Sequence, residues 1–257
     1  MTQSRNTPDS ARPLSARSVM ASLLLGRRSA RAPGRHLVRW CGLFDIAPGT
    51  ARVALHRMTA VGELRRDGDD YVLVGGLARR QREQEASLHA RTRAWTGAWR
   101  MAVVTGGARP APVRTGLRSA LRRAGLAEWR EGVWIRPANV TFDEPPGCEW
   151  LDVHPDVDAR ALAARLFAPD AWRAEAMRRI AALDAATARL AYDGADALAP
   201  AFVAGALALR HVRADPLLPP ELLPAPWPGD ALRAAYVTYQ REFAAVARVW
   251  FRDQSVS

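Results

Sequence analysis

A proline-rich segment near the C-terminus places the strongest constraint on how this chain of 257 residues can fold. Residues 215–229, called here the proline strap, contain six prolines. Each proline fixes φ and lacks an amide hydrogen, so the strap can form neither a continuous helix nor an inner strand. We expect it to pack as a rigid extended segment. On either side, Ala-rich amphipathic patterns predict helices over 171–192, 196–211 and 231–251, the last capped by Asp230.

Positive charge is concentrated in the first part of the chain. Residues 1–100 hold 18 arginines and 8 acidic residues, whereas residues 101–257 hold 19 and 18, and lysine is absent. A basic module joined to a near-neutral one is typical of a protein whose first part binds a polyanion through its phosphates. A merely soluble basic protein fits these counts equally well.

The basic part of the chain has the element order of a winged helix-turn-helix. Ser15 and Gly26 bound a first helix as N-cap and C-terminal stop. Pro48 breaks the chain before a third helix that Gly62 ends. The expected elements are helices at 15–26, 34–44 and 50–61, a basic loop at 27–33, and strands at 63–66 and 71–74 around the turn Asp67–Asp70.

The third helix of this module carries the clearest functional pattern. Its predicted core face is Ala51, Ala54, Leu55 and Met58, at i, i+3, i+4 and i+7. Its opposite face, predicted to read DNA, is Thr50, Arg52, Val53, His56 and Arg57. Arginine can donate two hydrogen bonds to guanine, threonine and histidine are lesser donors, and valine can contact a thymine methyl. The alternative is an ordinary solvated helix face.

The predicted wing adds Arg65 and Arg66 to the residues expected to contact DNA. Successive strand residues point in opposite directions, so one of the two is well placed to contact phosphate or the minor groove. The acidic turn that follows, with Asp67, Asp69 and Asp70, argues against phosphate contact at the tip itself.

The rest of the sequence predicts an α+β middle domain of ferredoxin-like form followed by a helical domain. The expected middle elements are a linker helix at 75–93, a strand at 99–104, a loop at 106–112, a helix at 113–124, strands at 127–130, 133–136 and 148–153, and a helix at 157–167. We therefore expect a disordered tail (1–14), a winged helix with its linker (15–95), the ferredoxin-like domain (96–168) and a helical C-terminal domain with the strap (169–257).

Three segments resemble the PaaX family of phenylacetate repressors. Residues 49–73 are similar to its recognition helix and wing, and Gly132–Pro137 to its middle domain. The strap, with Asp215-Pro216 and Trp227-Pro-Gly229, resembles its C-terminal signature. The resemblance covers about residues 19–251. It implies a homodimer on a palindromic operator, with repression relieved by phenylacetyl-CoA or another aromatic acyl-CoA. A regulator of an unrelated pathway with a different effector stays an alternative.

An enzymatic alternative comes from the likeness of a ferredoxin-like domain to CRISPR-associated small ribonucleases. Those metal-dependent nucleases are expected to carry an aspartate at the end of the first strand, where this sequence reads Val103-Val104-Thr105-Gly106. The five histidines form no ligand spacing, and Cys41 and Cys148 indicate two separate thiols. We therefore predict a protein without catalytic residues, metal or cofactor.

The effector site is less clear from the sequence. Arg114, Arg118 and Arg122 form a stripe along the helix at 113–124 that could meet acyl-CoA phosphates, the partner subunit or water only. Trp134 could line an aromatic pocket, although tryptophans near strands are more often core. No stretch approaches the roughly 20 uninterrupted apolar residues of a membrane span, and the N-terminus lacks a signal-peptide pattern, which predicts a cytoplasmic protein without membrane contact.

Overall fold

The computed structural model describes residues 14–27, 29–89, 92–106 and 110–253. The tail expected over residues 1–14 lies, apart from Leu14, outside these ranges. The helices and strands of the described residues are, in chain order, α1 (Ala16–Leu25), β1 (Arg31–Pro33), α2 (Gly34–Gly42), α3 (Pro48–Ala60), β2 (Leu64–Asp67), β3 (Asp70–Leu73), α4 (Gly75–Leu88), β4 (Trp99–Val104), α5 (Ala111–Arg123), β5 (Ala127–Arg130), β6 (Val133–Pro137), β7 (Cys148–Val153), α6 (Ala159–Phe167), α7 (Pro169–Asp193), α8 (Leu198–Arg213) and α9 (Gly229–Asp253).

The chain divides into two packed units that do not follow chain order. The first comprises Met1–Ala86, Ala188–Ala206 and Arg241–Ser257, and the second comprises Ser87–Thr187 and Leu207–Gln240. Each of α7, α8 and α9 therefore contributes residues to both units. The domain boundaries expected after residues 95 and 168 stay a prediction.

The first unit contains three helices and a small antiparallel sheet in the order β1-β3-β2. The Ser15 side chain caps α1 by accepting a hydrogen bond from Ser18 N, as the sequence predicts. The basic loop expected over 27–33 is wrong at its end, because Arg31–Pro33 pairs with β3 as a third strand. Three residues are too few to show a strand period, so only the non-local pairing reveals β1.

The linker helix is shorter than expected, since α4 ends at Leu88 rather than at Arg93. Its buried amides make it part of the first unit: Gln81 Nε2 donates to Arg27 O at 2.8 Å and Gln84 Nε2 donates to Leu25 O at 3.4 Å. These bonds satisfy carbonyl groups at the C-terminal end of α1, where a helix leaves carbonyls without partners.

Trp40 on α2 is the centre of the aromatic core in the first unit. Its side chain is fully buried, with 0% exposure. Five aromatic rings lie within 6.2 Å of it, centroid to centroid: Phe44, Phe202, Phe243, Trp250 and Phe251. Because four of these rings come from α8 and α9, the ends of the C-terminal helices complete the core of this unit.

The second unit is built on a four-stranded antiparallel sheet with the order β5-β6-β4-β7. This is the strand order of a ferredoxin-like sheet, and the bounds predicted for β4 and β7 are confirmed. β6 and β7 lie on either side of β4, and the connection between them contains no helix. The helix α6 follows β7 instead. The helix α5 starts at Ala111, two residues earlier than expected, because Pro112 fits a first helical turn.

The proline strap is held by hydrogen bonds and one buried ion pair. Asn139 Nδ2 donates to Leu217 O at 2.9 Å, and Arg233 Nη2 lies 2.8 Å from Asp215 Oδ2. The predicted capping role of Asp230 is wrong. α9 begins at Gly229, which places Asp230 inside the first turn with a fully exposed carboxylate.

Among the described residues, the stretch Pro169–Arg213 is long and apolar enough to cross a membrane by length and composition. It is not one straight helix, because a 3-10 turn at Gly194–Ala197 separates α7 from α8. Leu183 and Leu190 are buried in the protein at 0% and 1% exposure. These are the features of helices that line a protein core.

Candidate nucleic-acid interface

The helix α3 separates a buried face from an exposed one as its periodicity predicts. Ala51, Leu55 and Met58 are 0%, 4% and 1% exposed. The five side chains predicted to read DNA all lie on the exposed side: Thr50, Arg52, Val53, His56 and Arg57. Val53, at 51%, is exposed far more than a core valine would be. The helix therefore offers a continuous polar face with one apolar contact point.

The backbone at the start of α3 adds to this face. Pro48 occupies the first turn, and Ala47 at the N-cap provides no side-chain hydrogen bond to the helix. The first amides of a helix then have no intrahelical acceptor, and they carry the positive end of the helix dipole. This end of α3 suits the approach of a phosphate group to Thr50 and Arg52.

The register of the wing sorts its two arginines. Leu64 pairs with Leu73 on the buried side of the β2–β3 hairpin, and Arg65 pairs with Val72 on the opposite side. Arg66 Nε donates to Gly68 O at 2.9 Å, which ties this side chain to the turn. Arg65 is thus the outward-pointing arginine of the wing, whereas Arg66 is partly engaged by its own hairpin.

The arginines of this module fall into two classes. Arg17 pairs with Glu63, with Nε 2.8 Å from Oε2, and this hydrogen bond lowers the pKa of the Glu63 carboxyl. In the part of the chain that the structure describes, Arg52, Arg57 and Arg65 are exposed and form no ion pair. Their positive charge is therefore available to a polyanion.

Sequence reasoning missed the part played by Arg31. Its Nε lies 2.8 Å from Asp70 Oδ2, and its Nη2 lies 3.5 Å from Asp67 Oδ2. The acidic turn of the wing is therefore partly neutralised by β1. The signal was absent from the sequence because the pairing of β1 with β3 brings together residues that are far apart along the chain.

Three family models match successive parts of the chain. The model described as PaaX-like protein covers residues 15–74, and the PaaX protein central Cas2-like domain covers 92–154. The PaaX-like protein C-terminal domain covers 174–253. The chain belongs to the PaaX family. Members of this family are transcriptional regulators of phenylacetic acid catabolism that bind DNA.

A solved structure supports the same assignment. The PaaX-family chain is similar to the uncharacterized protein Rv0674 from Mycobacterium tuberculosis, with 36% sequence identity and a TM-score of 0.71. The similarity covers 91% of this chain and 98% of Rv0674. No curated protein matches the chain.

The predicted effector residues lie around α5 of this PaaX-family protein, in different environments. Arg114 and Arg118 are both exposed. Arg118 pairs with Glu128 and lies 5.6 Å from the centre of the Trp134 ring. Arg122 approaches the same ring, also at 5.6 Å. Trp134 is 1% exposed and packs in the core beneath α5. Their role in effector binding stays a prediction.

The end of β4, where a nuclease of the related fold would need an acid, carries no carboxylate. The strand ends at Val104, and Thr105 follows. Across the described residues, no group of three or more histidine, cysteine, aspartate and glutamate side chains could hold a metal ion.

Proposed function

We propose that this PaaX-family protein is a homodimeric repressor that reads its operator with α3 and contacts the flanking phosphates with the wing. The observation that carries the proposal is the exposed face of α3, where Arg52 and Arg57 have no described acidic partner and stand beside Thr50, Val53 and His56. A face of this composition can donate hydrogen bonds to guanine, make an apolar contact with a thymine methyl and approach phosphate within one helix length.

The dimer places two copies of α3 in successive major grooves. Half-sites of such an operator are roughly 34–36 Å apart, one turn of DNA. An effector can bind more tightly to a form of the dimer in which the two copies of α3 are spaced differently. It then shifts the protein towards that form and so lowers the affinity for the operator. We assign the effector to the aromatic acyl-CoA class, with phenylacetyl-CoA as the first compound to test. The protein acts in the cytoplasm, where it meets DNA.

The test is a mobility-shift assay with the DNA upstream of the protein's own gene. We expect Arg52→Ala and Arg57→Ala each to weaken operator binding by about 1–3 kcal/mol for every arginine–base interaction that the substitution removes, and to relax the sequence preference. The matched control is Arg165→Ala/Arg210→Ala, which removes two exposed arginines from α6 and α8 and changes the net charge by the same amount as Arg52→Ala/Arg57→Ala.

Equal binding by the two double variants would contradict the assignment of the reading face. Release of the wild-type complex by phenylacetyl-CoA supports the effector class, whereas release only by another metabolite assigns the regulator to a different pathway. If Arg52→Ala/Arg57→Ala binds the operator as the wild type does and the effector still releases it, the DNA contacts must lie on another surface.

A further inference from the structure

A cavity of about 640 Å³ lies in the second unit, beside the C-terminal end of α5. Its walls come from the ends of α5, α6 and α8, from β5, β6 and the loop after β6, and from the first residues of the proline strap. The volume is in the range of sites that bind small organic molecules, roughly 300–1,000 Å³. The side chains that decide what it can bind are Arg122, Arg136, Arg213, Trp134, Phe142 and Phe167.

The cavity has an excess of positive charge. Two carboxylates also belong to its wall, Glu128 and Asp215, but each is bound to an arginine that lies outside the wall. Glu128 pairs with Arg118, and Asp215 pairs with Arg233. Among the described residues, neither carboxylate therefore neutralises Arg122 or Arg136.

Arg136 is the most unusual of these residues. Its side chain is buried, with the residue 3% exposed, and among the described residues it forms no ion pair. Its guanidinium donates only to backbone carbonyls, to Ala124 O at 2.8 Å, Pro137 O at 3.3 Å and Pro216 O at 3.5 Å. Burial lowers the pKa of Arg136 to about 10.

A guanidinium has five N–H donors, so two remain after these three bonds. A buried cation without a counter-charge is unfavourable, and an anion that reaches it in a cavity gains from the low dielectric. The arrangement around Arg136 is therefore suited to an anionic group.

The other part of the wall is aromatic. Arg122 lies over the Trp134 ring, and the Phe142 ring centre is 5.8 Å from the Arg136 guanidinium carbon. Phe167 closes the side formed by α6. Rings beside arginines accommodate a flat apolar group whose charged end faces the guanidinium groups.

We propose that this cavity is the effector site and binds an anion that carries a flat apolar group, with Arg122 and Arg136 holding the anionic end. The inference rests on the proposed function only in taking the protein to respond to a small molecule. It places Arg122 and Trp134 at the site and leaves Arg114, which is outside the wall, without a part in binding.

The anionic end has two chemical sources, the carboxylate of a free aromatic acid and the phosphates of a coenzyme A ester. Calorimetric titrations of the full chain with phenylacetate, coenzyme A and phenylacetyl-CoA distinguish them. We expect Arg122→Ala to lower the affinity for whichever probe binds by about tenfold or more, as for removal of a hydrogen bond to a charged group. Arg114→Ala, on the same helix two turns away, is the matched control and should bind as the wild type does.

Arg136→Gln should abolish this binding, but the change also removes bonds to Ala124 O and Pro216 O. Arg122 is exposed at the rim, so Arg122→Ala keeps the test valid if Arg136→Gln does not fold. The inference is overturned if none of the three probes binds, or if Arg114→Ala weakens binding and Arg122→Ala does not.

A mobility shift without ligand separates this inference from the proposed function. Operator binding by a protein that binds none of the three probes would overturn the cavity assignment and leave the DNA reader standing. Probe binding that depends on Arg122, in a protein without DNA affinity, would do the reverse.

Discussion

The buried ion pair between Asp215 and Arg233 is predicted to be a main support of the proline strap. The two side chains are 2% and 10% exposed, and Asp215 Oδ2 lies 2.8 Å from Arg233 Nη2. Asp215 Oδ1 also accepts from Leu217 N at 2.9 Å, and Arg233 Nε donates to Ser87 O at 3.2 Å. The pair thus links the strap, α9 and the C-terminal end of α4.

Asp215→Asn removes the charge and keeps the shape and the acceptor for Leu217 N. Two charges about 4 Å apart interact by about 4 kcal/mol at an effective dielectric near 20, and removal of one partner leaves the other charge buried. We therefore expect the free energy of unfolding to fall by about 3–5 kcal/mol, as for other buried pairs from which one partner is removed.

Equilibrium urea unfolding followed by far-ultraviolet circular dichroism measures this decrease as a lower midpoint at unchanged slope. Asp230→Asn is the matched control, because Asp230 approaches the same Arg233 at 3.9 Å with a fully exposed carboxylate. It should leave the midpoint where it is. Equal midpoints for Asp215→Asn and Asp230→Asn would refute the argument from burial.

Three further predictions concern single side chains. Trp40→Ala should lower the free energy of unfolding by about 3–5 kcal/mol in urea, and Trp40→Phe by clearly less, because the buried indole N–H has no described hydrogen-bond partner. A thiol reagent should modify half-buried Cys148 before Cys41, since burial raises the pKa of Cys41 to about 11; equal rates of labelling would contradict this. Burial, and then the neighbouring arginines, lower the pKa of His36, which stacks on Phe251. The unfolded chain therefore takes up the proton more readily, so stability is full above about pH 6.5 and falls below it. His36→Gln should flatten that part of the stability curve, and an unchanged slope would count against the assignment.

The elements predicted correctly from the sequence are those whose pattern is local. The buried face of α3 follows from a 3.6-residue period, with Ala51, Leu55 and Met58 in the core. The bounds of β4 and β7 are confirmed: β4 is a mostly apolar run, and β7 is a short segment between turn residues. The family was also recognisable from the sequence, since the proline pattern of the strap is so constrained.

The features that escaped prediction depend on contacts between distant residues. The strand β1 exists only through its pairing with β3, and Arg31 bonds to the wing only through that register. Trp40 became central because aromatic residues of α8 and α9 reach it. The cavity at Arg136 requires the strap to fold back against β6, which no local pattern indicates.

The most direct test of the account is the salt dependence of binding between the purified protein and the DNA upstream of its gene, followed by fluorescence anisotropy. We expect tight, sequence-selective binding at low salt that weakens steeply as salt is raised. Arg65→Ala should lower the slope of log K against log salt concentration by about one. Absence of affinity even in dilute buffer, or binding that ignores both salt and sequence, would contradict it.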